Sequence, residues 1–163
     1  MDEYVKLGDV TVEVFVTRKG LNEKIPVDRK EQDLLTTNGR DLVHAALLYA
    51  SSQGAGFSYY AVTSNASFSP AVGDTTFSNE ITASGMARHQ LVNSGESISH
   101  SNGTNSTVAT AIFTNNGTGS VTVYGYANFT TSGATQPVFE QAVSGTTLQV
   151  GDSLTLVITY TIG

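Results

Sequence analysis

The chain has no cysteine, no tryptophan, three prolines, and eight lysines and arginines among its 163 residues. Without cysteine, disulfides, thiol nucleophiles and thiolate metal sites are all excluded. Stability has to come from an apolar core, and a chain of this length buries enough surface to need no staples. The longest apolar runs fall far short of the ~18–20 residues that cross a bilayer as a helix. The N-terminus carries no basic, apolar leader with a small-residue cleavage site, so no signal peptide is expected and synthesis is expected to be cytoplasmic.

Positive charge is scarce and unevenly placed. The net charge of −6 argues against a nucleic-acid partner, which demands a basic face. All eight cations lie at or before Arg88, and beyond it the charged residues are Glu96, Glu140 and Asp152. The rest of that surface must be built from Ser, Thr, Asn and Gly. With 13% charged residues, the chain is either a plain β domain with a neutral skin or a subunit covered by its neighbours.

What the sequence does contain is strand pattern. Residues 10–17 alternate strictly, with Val10, Val12, Val14 and Val16 on one face and Thr11, Glu13, Phe15 and Thr17 on the other. Residues 24–35 read as a charged edge strand with Pro26 near its start, where a lost donor is tolerated. Residues 57–63, 106–114, 120–129, 138–143 and 153–162 read as further strands, rich in β-branched and aromatic residues. Residues 79–92 read as strand on both sides of a bend at Gly85. Turn chemistry falls at Asn115-Asn116-Gly117, Ser132-Gly133 and Ser144-Gly145, and residues 64–76 and 93–105 read as loops. The final strand alternates Leu154, Leu156, Ile158, Tyr160 and Ile162 against threonines, and is expected in the middle of a sheet.

One segment breaks the pattern. Residues 39–50 read as a helix, with Asn38 as its N-cap and Asp41 in the first turn near the positive dipole end. Leu42, Ala45, Ala46 and Tyr49 form an apolar stripe that needs a sheet to lie on. The expected fold is therefore mainly β: a single β-sandwich or jelly-roll over residues 1–163 with one helix packed against it. Residues 1–33 are expected to serve as an anchoring or pairing arm.

Catalytic chemistry finds little support. His44, His89 and His100 lack metal-ligand spacing, and no dense oxygen-ligand loop for calcium occurs near Asp74 or Asp152. Glycoside hydrolysis needs two carboxylates ~5–9.5 Å apart across a cleft, and the spacing of Asp74, Glu80, Glu140 and Asp152 gives no such pair. No cofactor, metal or enzymatic activity is expected. Arg88, the last cation, is expected to make a structural ion pair with Glu80, with Asp41 or with a neighbouring subunit. Tyr124 and Tyr126 read as one strand face opposite Val121 and Val123, to be placed in the core, at a subunit contact or in a ligand site; Tyr59 and Tyr60 could join them as a sugar-stacking platform. Val10, Val12, Val14, Val16 and Phe15 are candidates for attachment or pairing.

Several stretches taken together resemble a broad family of virion structural proteins from tailed phages and related prophages. These are Leu34-Leu35-Thr36-Thr37-Asn38-Gly39-Arg40-Asp41-Leu42, Tyr60-Ala61-Val62, and Pro70-Ala71-Val72-Gly73-Asp74-Thr75-Thr76-Phe77 with Glu80-Ile81 and Arg88. Val138-Phe139-Glu140 and Gly151-Asp152-Ser153-Leu154-Thr155-Leu156 complete the set. The order covers most of the chain from Leu34 onward and departs from the commoner pattern at Thr63-Ser64-Asn65, where a Gly-rich turn is more usual. The resemblance implies a compact, non-enzymatic β domain that decorates the head or belongs to the tail, working as a symmetric homo-oligomer. It transfers no catalytic residue. The expected role is a capsid decoration or minor capsid subunit, trimeric at quasi-threefold points, bound to the major capsid protein. The alternative is a tail or fibre-associated module that reads a host surface glycan through residues 64–76 and 93–105. In either case the expected location is the virion, with no membrane partner.

Overall fold

A computed structural model of the protein describes residues 9–32, 59–92, 94–100 and 106–161. Nine strands are found there: β1 (Asp9–Thr17), β2 (Ile25–Gln32), β3 (Tyr59–Thr63), β4 (His89–Gln90), β5 (Ser97–His100), β6 (Ser106–Thr114), β7 (Val121–Phe129), β8 (Phe139–Leu148) and β9 (Ser153–Thr161). The helix expected over 39–50, with Asn38, Asp41 and His44, lies outside the described residues. Among the described residues every regular element is a strand.

Five strands form one antiparallel sheet in the order β2-β1-β9-β6-β5, and four form another in the order β4-β3-β7-β8. Alternation dictates which side chains meet. On the first sheet the register aligns Val12, Ile158 and Ala109, then Val14, Leu156 and Ala111, then Val16, Leu154 and Phe113. These rows are buried against Tyr60, Val62, Val123, Tyr126, Val143 and Leu148 of the second sheet, with Met86 inserted from a loop. One shared core makes the two sheets a sandwich. Each fully buried aliphatic side chain in it contributes roughly 1.5–3 kcal/mol.

The second sheet is covered on its other face as well. Ala61, Gly125 and Ala127 are small, and the 64–88 segment folds over them, placing Phe68 and Phe77 against Phe129. A Cβ at Gly125 would collide with the Phe68 ring, so only glycine allows this close approach.

Residues 9–32 belong to the first sheet, where β1 is second in the order and β2 pairs with it along its length. Three expectations are corrected here. Residues 79–92 form only the bridge Thr63↔Glu80 and the two residues of β4. Between them Ser84 and Gly85 take φ of 61° and 75°, a left-handed turn that breaks the ladder and drives Met86 into the core. Residues 97–100, expected as loop, pair with β6. Ser144-Gly145 is not a turn but lies inside β8, where the bare Gly145 lets the Tyr124 ring lie over it.

Candidate functional site

The covered face of the second sheet carries a shallow groove of about 430 Å³, lined by Thr76, Phe77, Glu80, Thr82, Ala87, Arg88 and residues 132–135. Its floor is built from the chain upward. Thr63 at the end of β3 accepts the Glu80 bridge, while its hydroxyl donates to the Ser78 carbonyl at 2.6 Å. Asn79, with φ of 50°, turns the backbone so that Ile81 rejoins β3 through a bond to the Val62 carbonyl. Asparagine tolerates that left-handed geometry better than most residues. Glu80 is thereby fixed beside the edge of the sheet.

Arg88 meets it there. Its Nε donates to Glu80 Oε1 at 3.0 Å and its Nη2 to Oε2 at 2.5 Å, the two-pronged match of guanidinium to carboxylate. Nη1 donates to the Ala134 carbonyl at 2.5 Å and to the Ser132 carbonyl at 3.3 Å. The guanidinium carbon stands 3.5 Å from the centre of the Phe129 ring. One arginine thus ties the 76–88 segment and the β7–β8 connection to the sheet. The charges of Arg88 and Glu80 cancel locally, and what remains for the groove is neutral: the hydroxyl side chains of Thr76, Thr82, Ser132 and Thr135 beside one aromatic edge.

The other polar side chains expected to matter are placed as follows. Val12, Val14 and Val16 are core residues, 1%, 0% and 1% exposed, and so are not available as an attachment face. Phe15 points to the opposite side, aligned with Thr155 and Ile112. The Val10 and His100 side chains lie outside the described residues. Tyr124 and Tyr126 do not share a face. The register slips between Val123 and Gly125, where Tyr124 stands against Val143, Ser144 and Gly145 of β8, and Tyr126 joins Val123 in the core. Burial pushes the Tyr126 phenol up, and Tyr60 and Tyr160 likewise. Tyr60 and Tyr160 hydroxyls meet at 2.9 Å and Asn128 donates to Tyr160 at 2.8 Å, a buried network of uncharged groups.

His89 is a cross-link between the sheets. Its Nε2 lies 2.6 Å from Glu96 Oε1, which also accepts the Ile112 amide, and its Nδ1 lies 3.0 Å from the Ala87 carbonyl. Asp152 and Glu140, isolated in the sequence, are not isolated in space. Asp152 accepts from Arg18 at 2.5 Å, and from the amides of Lys19 and Gln149 at 2.9 Å each. Burial alone would push its carboxyl up, but these donors, Arg18 foremost, outweigh burial and hold it below the usual range. Asn115 completes that end of the sandwich, donating to the Gly119 and Leu148 carbonyls. Arg18 and Lys19 lie 134 and 133 positions from Asp152 and Leu148 lies 33 from Asn115, and local pattern signals none of these pairs beyond Asp and Asn at turn positions. Glu140 lies beside Asp74 under the 64–88 segment.

Among the described residues, no three histidine or acidic side chains gather to hold a metal ion. No known protein family and no curated protein matches the chain.

Proposed function

We propose that this chain is a non-enzymatic virion structural protein, a capsid decoration or minor capsid subunit that binds and stabilises an assembled shell as a homo-oligomer. The observation that carries the reading is the contrast between the two outer faces of the sandwich. The four-stranded sheet is covered by the chain's own 64–88 segment. Among the described residues, the outer face of the five-stranded sheet carries across three adjacent strands Phe15, Thr155 and Ile112, then Glu13, Val157 and Thr110, then Thr11, Thr159 and Val108, with Thr155 buried and the other eight half-buried. Glu13 is the one charge in that array, and Phe15, Ile112, Val157 and Val108 are only partly buried. A broad, nearly neutral β surface is suited to contact with further copies or a shell, as the motif resemblance leads one to expect. Such a subunit acts by mass action: binding only the assembled shell, it stabilises that state by about 2.7 kcal/mol when present at a hundred times Kd.

The groove supports a second reading, a tail or fibre-associated module for a host surface glycan. Neutral hydroxyls beside an aromatic edge suit a sugar better than an ion. Immunogold electron microscopy of particles from the source lysate, with antibody against this chain, separates the two. Gold over the head supports the shell subunit, and gold at the tail or fibres supports the glycan reader. Unlabelled particles would overturn both. A glycan array with the recombinant domain adds an independent arm, since the shell subunit should leave it blank.

A further inference from the structure

The outermost strand of a sheet presents a row of unpaired amides and carbonyls that another strand can complete. Among the described residues, the edges of the two sheets differ in what protects them. β4 and β5 are two and four residues long, and β2 carries Pro26 and the consecutive charges Asp28, Arg29, Lys30 and Glu31. β8 is the exception. It is ten residues long, and from Gln141 to Leu148 it has neither a charged residue nor a proline. Ser144, Gly145 and Thr147 on it are exposed. The register slip opposite Tyr124 also leaves Val143, Ser144 and Gly145 outside the pairing with β7.

That edge is closed by side chains rather than by a strand. Asp28 reaches across from β2, and its Oδ2 accepts the Ser144 amide at 2.5 Å. Its Oδ1 accepts the Arg29 amide at 2.8 Å and lies 3.7 Å from Lys30 Nζ, so the carboxylate has a fixed aim. The Thr146 hydroxyl donates to the Ser144 carbonyl at 2.9 Å, and Gln141 Nε2 donates to the Ala142 carbonyl at 3.0 Å. Arg18, just past the end of β1, donates to the Thr147 carbonyl at 3.1 Å. An incoming strand would have to take the Ser144 amide from a charged acceptor, which holds it more strongly than a neutral carbonyl can. We propose that the β8 edge is a pairing surface for the β8 of a second copy, kept shut by Asp28, Thr146 and Arg18 for as long as β2 stays in place. The occupant follows from the strand itself. Two copies of this uncharged stretch can run antiparallel about a two-fold axis with no like charges opposed, and such a pair closes on itself. With the edge shut, the native chain meets its partners through other surfaces, whichever reading of its function holds.

The test is light scattering on the whole chain over a range of concentrations, for the native protein, D28A, T146V and the double variant, with hydrogen exchange read at the Ser144 amide. D28A uncovers that amide, T146V uncovers the carbonyl of the same residue, and the double variant uncovers both. In dilute D28A the Ser144 amide should exchange roughly tenfold faster than in the native protein, because one charge-assisted bond is gone. As concentration rises, the mass of D28A/T146V should reach about twice the native mass under the same conditions. The Ser144 amide should regain its protection over the same range, which places the new contact on β8. A mass equal to the native one at every concentration overturns the proposal, as does a rise in mass that leaves the Ser144 amide exchanging freely. A native Ser144 amide that exchanges as fast as in an unfolded chain also overturns it, since Asp28 then holds nothing shut. Should the double variant not fold, D28A and T146V are read singly by the same two measurements.

Discussion

Replacing Arg88 by methionine keeps most of the side chain's length and removes its charge and its donors. The loss can be worked from its surroundings. The Arg88 and Glu80 side chains are 12% and 17% exposed, so the pair is largely shielded from water. Cutting one partner of such a pair costs about 3–5 kcal/mol, mostly because the remaining charge is left without compensation. The stacking on Phe129 adds up to about 2 kcal/mol, part of which the methionine thioether restores. We expect Arg88→Met to destabilise by about 4 kcal/mol, a fall in Tm of roughly 8–16 °C for a domain of this size. Glu80→Gln should cost less, about 2 kcal/mol, because arginine can still donate to an amide oxygen and to the carbonyls of residues 132 and 134. In the double variant the two losses should not add, leaving a coupling energy of about 2 kcal/mol. Arg88→Lys keeps the charge but not the fork and should fall between the native protein and Arg88→Met. Urea unfolding followed by circular dichroism measures all four proteins. A coupling below about 0.5 kcal/mol would refute the argument, since that is the value of an exposed surface pair.

Three further outcomes are expected. Asp152→Asn should cost about 1–3 kcal/mol at pH 7, chiefly through the Lys19 and Gln149 amides, since Arg18 is 42% exposed and its attraction is screened. Because the folded carboxyl titrates below 3.8, this difference should hold above that pH and shrink as pH falls through the folded value; acid unfolding of the two proteins checks it. Gly125→Ala should lose about 1–3 kcal/mol by driving a methyl into the Phe68 ring and the Gln141 carbonyl, and adding Phe68→Leu should recover part of that in a thermal melt. Phe15→Arg, on the outer face of the first sheet, should leave the circular dichroism spectrum unchanged but reduce the mass found by light scattering, if that face joins copies of the chain; an unchanged mass would move the contact elsewhere.

How much of this was legible depended on the range over which the physics acts. The alternation of Val12, Val14 and Val16 and of Leu154, Leu156 and Ile158 is a local signal, and both runs are strands whose apolar faces form the core. The register slip opposite Tyr124 was not legible, because it depends on how β8 pairs, with Val143, Ser144 and Gly145 set against that one residue. Ser144-Gly145 misled for the converse reason. That glycine serves contact with a ring on the neighbouring strand, not a reversal of the chain. The short strand of residues 97–100 hid in a polar stretch, its pairing decided by β6 rather than by its own composition. Within the groove, Glu80 and Arg88 could be nominated together because Arg88 is the last cation. Their tie to the carbonyls of residues 132 and 134 depends on a connection more than forty positions away. Glu140 looked alone for the same reason, its neighbour Asp74 being 66 positions earlier in the chain.

The position of β9 has a consequence for how the molecule is made. It lies between β1 and β6 and pairs with both along its whole length. The first and last of the described strands are therefore direct neighbours, and the five-stranded sheet stays in two unjoined halves until β9 arrives. Closing so long a loop before any contact rewards it makes for slow folding, in the range of milliseconds to seconds typical of β-sandwiches. Until then two long strands stand with open edges, each a template for strands of other chains. A nascent or truncated chain that stops before Ser153 is thus the aggregation-prone form, and a chaperone acting on this protein would find its substrate there.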